Sequence, residues 1–448
     1  MTIGAHFSIL AGMLHCMNIK SSAYFIFEIM FAMQAATALA QTTRPVRTEF
    51  DVRVYGAVGD GKTKDTASFQ KALDQCASAG GGTVSVPVGN YLIGSISIGS
   101  NTTLQLAPMA CLIGSPDIDD YPIVHSEWEK DYSQGRRSLL SGSKANHISI
   151  TGRGWICGPP PSLRRASEAG GVRGVRGPLL MEFVECDHVT LDGFSTEYAG
   201  SWSIHPLLCR DFTARNLVIR SIGVYGDGID VDSCSGVHIE NCNIDSGDDS
   251  IALKSGKGMA AVKLARPTEN VEISHCSLIS SNYAGLGIGT ELSGGIRNVH
   301  IDHCIISGHQ NAIFIKSRDG RAGFIDNIVG ENLTVYNSPT FVAIDLLDKG
   351  TQAVDPIPGK IEQWTTAGNI RFDNVRVIDV TALIVAGGIP SDRPLDQFTL
   401  SNISGNCSRA ITLSNMTNVA LSNISVTGYQ GPLVTQTNVQ GSGLDSGK

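Results

Sequence analysis

The sequence predicts an all-β fold, a solenoid of stacked parallel strands called a parallel β-helix, and three observations support this prediction. The chain of 448 residues has 50 glycines and only 17% charged residues, a composition typical of strands and tight turns. Short β-rich runs recur along it, and those beginning at Val237, Val271 and Val299 are 34 and 28 residues apart. The intervals between runs show no helix-length amphipathic pattern, which excludes helical repeats.

The recurring runs are the expected strands of successive coils. In a parallel β-helix each coil gives one strand to each of several parallel sheets, and the next coil stacks about 4.8 Å away. Several runs follow an Asn or Asp and precede a polar turn. Beyond about residue 145 they begin at His147, His188, Val237, Val271, Val299, Ile370, Phe398 and Val419.

A short helix is expected before the coils begin. Residues 65–79 have an amphipathic pattern, with Asp65 as the expected N-cap and three glycines, residues 80–82, as the stop. Such a helix would cap the open end of the solenoid and cover its strand edges. Residues 157–178 and 256–267 are predicted to be inserted loops, and long loops on one face of a solenoid usually form its binding cleft.

The first 40 residues are predicted to be a signal peptide. Residues 22–40 are mostly apolar and end in Ala38-Leu39-Ala40, the pattern of small residues that signal peptidase cleaves. An uncleaved anchor helix is the alternative. Residues 41–434 would then form one parallel β-helix domain, and the Gly/Ser-rich residues 435–448 are expected to be a flexible tail.

Charge and cysteine spacing exclude further classes. The net charge of −8 disfavours a nucleic-acid binder, although a local basic cleft could still bind an anionic substrate. The chain has no Cys-x-x-Cys pair, so a zinc site is not expected. Six cysteines recur at about one repeat, which favours stacked, mostly free core thiols over disulfides: Cys186, Cys209, Cys234, Cys242, Cys276 and Cys304.

Carboxylates are densest in residues 227–249. Asp227 and Asp248 are 21 residues apart, about one coil, so they are expected side by side, where mutual repulsion raises the pKa of one. A protonated acid beside an ionised base is what glycoside hydrolysis needs. Asp249 would face away on a regular strand, but Gly247 permits a bend that brings both to one side. The pattern alone also allows a surface acid ladder or a calcium site.

These residues carry a resemblance to the pectin-degrading glycoside hydrolases of family 28, the polygalacturonase family. The family motif Asn-Thr-Asp-Gly-Ile-Asp is similar to residues 225–230, and Gly-Asp-Asp followed by Ile-Ala-Ile-Lys-Ser-Gly is similar to residues 247–256. Residues 202–206, 267–271 and 288–295 match further segments of the family in the same order. The resemblance covers roughly residues 48–430.

The resemblance implies a right-handed parallel β-helix and an inverting mechanism, with 41–434 as the catalytic domain. It assigns Asp248 as the general acid, and Asp227 and Asp249 as the groups that hold and deprotonate the attacking water. Inversion usually needs carboxyl groups about 6.5–9.5 Å apart, leaving room for that water. Neither a cofactor nor a metal is expected.

Two departures from the family pattern bear on specificity. Tyr283 stands where the family has His, and Phe314 stands where it has an Arg that grips a galacturonate carboxylate. Losing the Arg removes a bidentate clamp, and the rings add apolar stacking surface. A neutral leaving sugar is therefore favoured, with rhamnose as one candidate. Lys254 and Lys316 are expected to bind a uronate carboxylate, and His205 to contact substrate unless its role is structural.

The function predicted from the sequence is a secreted, inverting glycoside hydrolase acting on galacturonate-containing pectic polysaccharide. Its location would be extracellular or periplasmic, and it would be a monomer with no nucleic-acid partner and no membrane contact after signal cleavage. The alternatives are a rhamnogalacturonan-type hydrolase with a neutral leaving sugar, a calcium-dependent pectate-type lyase, and a non-catalytic carbohydrate-binding solenoid.

Overall fold

The computed structural model describes residues 48–125, 134–160, 162–163, 175–199, 201–223, 225–318, 320–347 and 364–445. The predicted signal peptide, residues 1–40, lies outside the described residues, so the structure bears on neither its cleavage nor the anchor alternative.

The described residues contain helices α1 (Thr66–Ser78) and α2 (Gly258–Leu264), and 3₁₀ turns at Val52–Tyr55 and Ile118–Asp120. Strands make up most of the remainder. They are β1 Glu49–Asp51, β2 Asp60–Lys64, β3 Gly82–Val86, β4 Gly89–Ile93, β5 Ile96–Ser97, β6 Thr102–Leu106, β7 Ala110–Gly114, β8 Ile123–His125, β9 Gln134–Arg136, β10 Leu140–Ser143, β11 Asn146–Gly152, β12 Trp155–Cys157, β13 Val175–Arg176, β14 Met181–Val184, β15 Asp187–Asp192, β16 Ser195–Glu197, β17 Ile204–Leu207, β18 Arg210–Arg215, β19 Val218–Ser221, β20 Ile229–Asp232, β21 Ser235–Glu240, β22 Asn243–Ser246, β23 Ile251–Lys254, β24 Thr268–Ser274, β25 Ser277–Ser280, β26 Ala284–Ile288, β27 Ile296–Asp302, β28 Ile305–Gly308, β29 Asn311–Lys316, β30 Phe324–Tyr336, β31 Thr340–Asp345, β32 Thr366–Gly387, β33 Leu395–Thr427 and β34 Val434–Ser442.

Parallel pairing between successive coils confirms the predicted β-helix. β14, β17, β20, β23, β26, β29 and β31 pair in that order, each in parallel with the strand one coil further along. A second row runs β11, β15, β18, β21, β24, β27 and β30. β8, β9 and β13 form a separate three-stranded sheet, which we call the small sheet.

Stacked apolar side chains fill the interior. The predicted strand runs lie in register, since Val237 pairs with Val271 and Val271 with Val299. All the side chains of this column are buried: Ile148, Val189, Phe212, Val237, Val271, Val299, Ile328, Ile370, Phe398 and Val419. Coil after coil therefore buries one apolar residue at the same place, which is the main stabilising term of such a fold.

Helix α1 occurs where the sequence predicted a helix, and its Phe69, Leu73 and Cys76 are buried against the core. Its role as the cap of the solenoid stays a prediction. Asp65 occupies the N-cap position without capping the helix. Its carboxylate instead accepts hydrogen bonds from the backbone N–H groups of Val58, at 2.7 Å, and of residue 59, at 3.0 Å, which closes the preceding loop.

Two predicted irregular segments contain regular structure. The predicted loop 256–267 contains α2, and the predicted tail from residue 435 contains β34, which pairs in parallel with β33. The tail prediction was wrong for residues 435–442. Polar and glycine-rich composition suggested disorder there, but Asn438 continues the coil by donating from its side-chain amide to Asn415 Oδ1 at 2.8 Å.

The cysteines of the described residues form no disulfide. The thiol of Cys209 donates to the carbonyl of Phe183 at 3.2 Å, and that of Cys234 donates to the carbonyl of Pro206 at 3.3 Å. These two thiols thus hydrogen-bond to the backbone of the preceding coil, which agrees with the prediction of mostly free core thiols.

Candidate active site

The three predicted catalytic aspartates lie at the entries to two neighbouring strands of one sheet. Asp227 precedes β20 and Asp249 precedes β23. The pairing of Ile229 with Ile251 places Asp227 opposite Asp249, so Asp249, rather than Asp248, is its register partner one coil away. The N–H of Gly228 donates to the carbonyl of Asp249 at 3.0 Å and locks this register.

Gly247 allows the adjacent Asp248 to turn to the same side. A Cβ at Gly247 would lie 2.1 Å from the carbonyl oxygen of Gly223, so only glycine permits this close approach. As a result, one carboxyl oxygen from each of Asp227, Asp248 and Asp249 lies within 4.8 Å of the other two. The three carboxyl groups therefore converge as the sequence predicted.

The spacing of these oxygens is shorter than the 6.5–9.5 Å expected between the carboxyl groups of an inverting enzyme. It suits a single shared water molecule. Two O–H···O hydrogen bonds of about 2.7–2.8 Å at a tetrahedral angle span roughly 4.5 Å between their acceptors. A water held by two of the carboxylates would thus lie within reach of the third.

Burial raises the pKa of two of the three acids. For Asp248 the causes are burial and then the negative charge of Asp249. The pKa of Asp227 is raised well above its ordinary value by burial, by Asp230 and by Asp248. Its Oδ1 is buried and has no hydrogen-bond partner among the described residues. Both groups are therefore inclined to hold a proton.

Asp249 is surrounded by groups that stabilise its ionised form. Lys316 Nζ lies 3.0 Å from its Oδ2, and the N–H of Ala284 donates to its Oδ1 at 3.1 Å. A Cβ on Gly287 would lie 2.4 Å from Oδ2, so the carboxylate occupies space that only glycine leaves open. Lys316, which the sequence analysis expected to bind substrate, thus lies in the site as the ion-pair partner of Asp249.

A second ion pair lies beneath Asp227. Lys254 Nζ is 2.8 Å from Asp230 Oδ1, and the ring of Trp202 covers the ammonium with its centroid 3.6 Å away. Burial raises the pKa of Asp230 to about 6, although Lys254 opposes this. The site prediction omitted Asp230 and Trp202. Two signals could have found Asp230. It belongs to the same six-residue motif as Asp227, and the alternation of inward and outward side chains along β20 places it on the outer face of the sheet.

His205 lies one coil before Asp230 and is buried. Its Nδ1 is 3.2 Å from Glu182 Oε1, which also lies 3.0 Å from Arg176 Nη2. Burial raises the pKa of Glu182, but the charges of Arg176 and His205 outweigh it and lower this pKa to about 2. The ionised Glu182 orients the imidazole, whose Nε2 is buried and has no hydrogen-bond partner among the described residues. Glu182 and Arg176 had no motif signal in the sequence.

Tyr283 and Phe314, the two departures from the family pattern, line one cleft beyond the aspartates. Their ring centroids are 6.3 Å apart, and Lys316 Nζ lies 4.3 Å from the tyrosine ring and 5.3 Å from the phenylalanine ring. A cavity of about 480 Å³ adjoins both rings and also contacts Asp345. The aromatic surface and the acid suit a sugar without a carboxylate.

The three aspartates are also the arrangement that a cation would require. Calcium takes six to eight oxygen ligands, and these carboxylates could supply part of such a set. However, Lys316 already pairs with one oxygen of Asp249, and the positive charge of Lys254 acts on Asp227 and Asp248, where it opposes part of the rise in pKa that burial causes. Two ammonium groups beside the cluster disfavour a cation electrostatically.

The family assignment follows from comparison with known proteins. The model of the family described as "Glycosyl hydrolases family 28" matches residues 76–442. The chain belongs to glycosyl hydrolase family 28. This confirms the resemblance seen in the sequence, and with it the prediction that the chain belongs to a family of O-glycosyl hydrolases.

Relatives and solved structures agree with membership of family 28. The chain is 31% identical over 299 residues to a probable polygalacturonase of Vitis vinifera, a match that spans 63% of this chain and 59% of that protein. It is similar in fold to an exopolygalacturonase of Thermotoga maritima, with a TM-score of 0.69, 23% identity and coverage of 89% and 93%. A family 28 exopolygalacturonase of Yersinia enterocolitica gives a TM-score of 0.77, 19% identity and coverage of 88% and 78%.

In the part of the chain that the structure describes, no helix is sufficiently long and apolar to span a membrane.

Proposed function

We propose that the protein hydrolyses glycosidic bonds in galacturonate-containing pectic polysaccharide with inversion at the anomeric carbon. The observation that supports this most is the convergence of three carboxyl groups in different electrostatic environments. Burial favours a proton on Asp248, while Lys316 and a backbone N–H stabilise the anion of Asp249. An acid and a base side by side are the two groups that the reaction needs.

In the proposed reaction Asp248 donates its proton to the oxygen of the leaving sugar. Asp227 and Asp249 hold a water molecule, and Asp249 accepts a proton from it as the water oxygen bonds to the anomeric carbon. The bond between that carbon and the leaving oxygen breaks in the same step. Asp248 ends deprotonated and Asp249 protonated, and exchange with solvent restores both.

A neutral leaving sugar is the favoured form of this substrate. Phe314 replaces the carboxylate-binding Arg of the family, and the ammonium of Lys316, 5.3 Å from the centre of the Phe314 ring, is already paired with Asp249. The acid Asp345 also faces the same cavity. A carboxylate on this sugar would meet aromatic rings and an acid, whereas a neutral sugar such as rhamnose could stack on them.

The proposal is tested by incubating the protein separately with polygalacturonate and rhamnogalacturonan. We expect new reducing ends, and proton NMR of the first products should show the anomer opposite to that of the substrate. Retention of configuration would overturn the inverting mechanism. A rise in ultraviolet absorbance, which reports an unsaturated product, together with loss of activity on calcium chelation would support the lyase alternative instead. No product from either polymer would support the binding solenoid.

Secretion and the monomeric state belong to the same proposal. The apolar residues 22–40, which end in a small-residue cleavage pattern, support export. Export also agrees with the proposed substrates, which are extracellular polymers. Expression with the native leader, followed by N-terminal sequencing of the exported protein, should give Gln41 as the first residue. Light scattering of that protein should give the mass of one chain.

A further inference from the structure

The outward side chains at one end of the cleft are covered. On β14, Met181 and Phe183 point into the core, so Glu182 between them points outward. Yet the side chain of Glu182 is only 14% exposed, and those of His205 and Asp230 in the same row on the next two coils are 2% and 0% exposed. Outward residues of a sheet become this inaccessible only when other groups lie over them.

The small sheet supplies part of that cover. Arg176 of β13 lies over Glu182 at 3.0 Å and is itself only 11% exposed. Its guanidinium runs beside Gly135 of β9, where a Cβ would lie 3.6 Å from Arg176 Nε. Arg136 anchors the same sheet to an earlier coil, since its Nη1 donates to the carbonyl of Tyr121 at 2.9 Å. Trp202 covers the next part of the row by stacking on Lys254.

The opposite end of the cleft is open. Tyr283 and Phe314 are half-buried, and the cavity of about 480 Å³ continues past them to Val385 and Gly388, two coils beyond Phe314. The cleft therefore has one blocked end, at Arg176 and Glu182, and one open end, and the three aspartates lie between them.

We infer that the enzyme attacks chain ends and releases one or two sugars at a time from the non-reducing end. Two strand spacings, about 10 Å, separate the row of Glu182 from that of Asp230, which leaves room for only one or two sugar rings beyond the cleaved bond. The inference rests on the proposed function, which places the leaving sugar at Phe314. The blocked end then holds the sugars to be released, and Arg176 determines where the substrate must stop.

The test is the length of the first products from oligosaccharides labelled at the reducing end. Both oligogalacturonides and rhamnogalacturonan oligosaccharides of six or more sugars should be used. We expect the labelled products at early times to be shorter than the substrate by one or two sugars only. Labelled products of every length at early times would overturn this inference and leave hydrolysis standing. No shortened product from either series would overturn the proposed function and this inference together.

Two variants test the role of the small sheet. Arg176→Ala removes the contact and Glu182→Gln removes the negative charge that strengthens it, and each should raise the share of early products that have lost more than two sugars, severalfold for Arg176→Ala. Arg210→Ala is the matched control, because Arg210 forms an exposed ion pair with Asp187 at 3.2 Å on a different sheet row. Melting temperatures verify that the variants fold. Folded Arg176→Ala and Glu182→Gln proteins with the wild-type product pattern would overturn the assignment of Arg176.

Discussion

At the scale of single residues, two lysines divide the acids of the site into two kinds. Lys254 pairs with Asp230, and Lys316 pairs with Asp249, so each ammonium stabilises one anion. Among the described residues neither lysine forms an ion pair with Asp227 or Asp248, and burial raises the pKa of both. A cluster of like charges can be buried only because some members are neutralised by lysine and others by a proton.

The first prediction concerns the general acid. Asp248→Asn should keep the fold and lose at least about a hundredfold in kcat, the usual contribution of a positioned general acid. The measurement is steady-state hydrolysis of the better polymer, with the melting temperature as the check on folding. Asp245→Asn, an exposed change on the preceding strand β22, is the control and should leave kcat unchanged. Near wild-type turnover of Asp248→Asn would contradict the assignment.

The second prediction concerns the effect of Asp227 ionisation on the stability of the fold. A carboxyl whose folded-state pKa is raised stabilises the fold while it is protonated, below its unfolded value of 3.8. That contribution is lost as the pH rises through the raised pKa. Asp227→Asn removes the ionisation, so it should be inactive yet more thermostable than the wild type, by a margin that grows from pH 4 to pH 8. A margin in melting temperature that does not change with pH would count against the buried charge.

The sequence predicted the convergence of the three aspartates better than it predicted their surroundings. Asp227, Asp248 and Asp249 could be found because their spacing matches one coil and because the motif includes the bend at Gly247. Trp202 and Glu182 could not, since their contacts depend on which residues of different coils come into register and on how the small sheet folds over them. Coil lengths vary from one repeat to the next, and spacing alone therefore does not fix such neighbours.

At the scale of structural elements, a left-handed residue recurs near the beginning of the strands of the second row. Asn270, Asn298 and Asn327 have φ of 55°, 55° and 54°, and each directly precedes a residue of the buried column. The side-chain amide of Asn298 donates to Asn270 Oδ1 at 3.1 Å, and that of Asn327 donates to Asn298 Oδ1 at 3.0 Å. Asparagine suits this position because it tolerates the left-handed conformation and bonds to the next coil.

The third prediction tests this ladder. Asn298→Ala keeps a Cβ in the left-handed region and removes two side-chain hydrogen bonds, so it should lower the free energy of unfolding by about 1–2 kcal/mol. Asn298→Gly loses the same bonds but relieves the backbone, and its loss should be smaller. Denaturant unfolding of both variants measures the difference. Equal losses would show that the backbone conformation contributes nothing.

Strand positions were also easier to predict than strand ends. The buried column was visible because β-branched and aromatic residues recur about once per coil and in several coils follow an Asn or Asp. Helix α2 and strand β34 were missed for different reasons. The seven residues of α2 are too few for a clear amphipathic pattern, and most of β34 is exposed, so it has no apolar alternation to show.

At the scale of the whole molecule, the β-helix makes one long groove whose chemistry changes from coil to coil. Each coil contributes one outward position to the row, so successive substrate units meet successive coils. At the blocked end of the cleft the row presents Glu182, His205 and Asp230, which are charged or polar and covered. It continues through the buried Ala252 to Gly287 beside Asp249, and then to Phe314 and Ala343, which are apolar and only half-buried. Specificity for the leaving sugar should therefore be determined on the coils after the aspartates.

The last prediction concerns that specificity. A charge-assisted hydrogen bond is worth about 1.5–3 kcal/mol, so the missing Arg should reduce the preference for a galacturonate leaving sugar by roughly ten- to a hundredfold. We expect kcat/KM to be higher on rhamnogalacturonan than on polygalacturonate, and Phe314→Arg to shift the ratio toward polygalacturonate. Tyr283→Phe keeps the ring and adds no charge, so it serves as the control and should not shift the ratio in that direction. A wild-type protein that prefers polygalacturonate, with no further gain in Phe314→Arg, would mean that the carboxylate is recognised elsewhere in the cleft and that the aromatic pair does not select a neutral sugar.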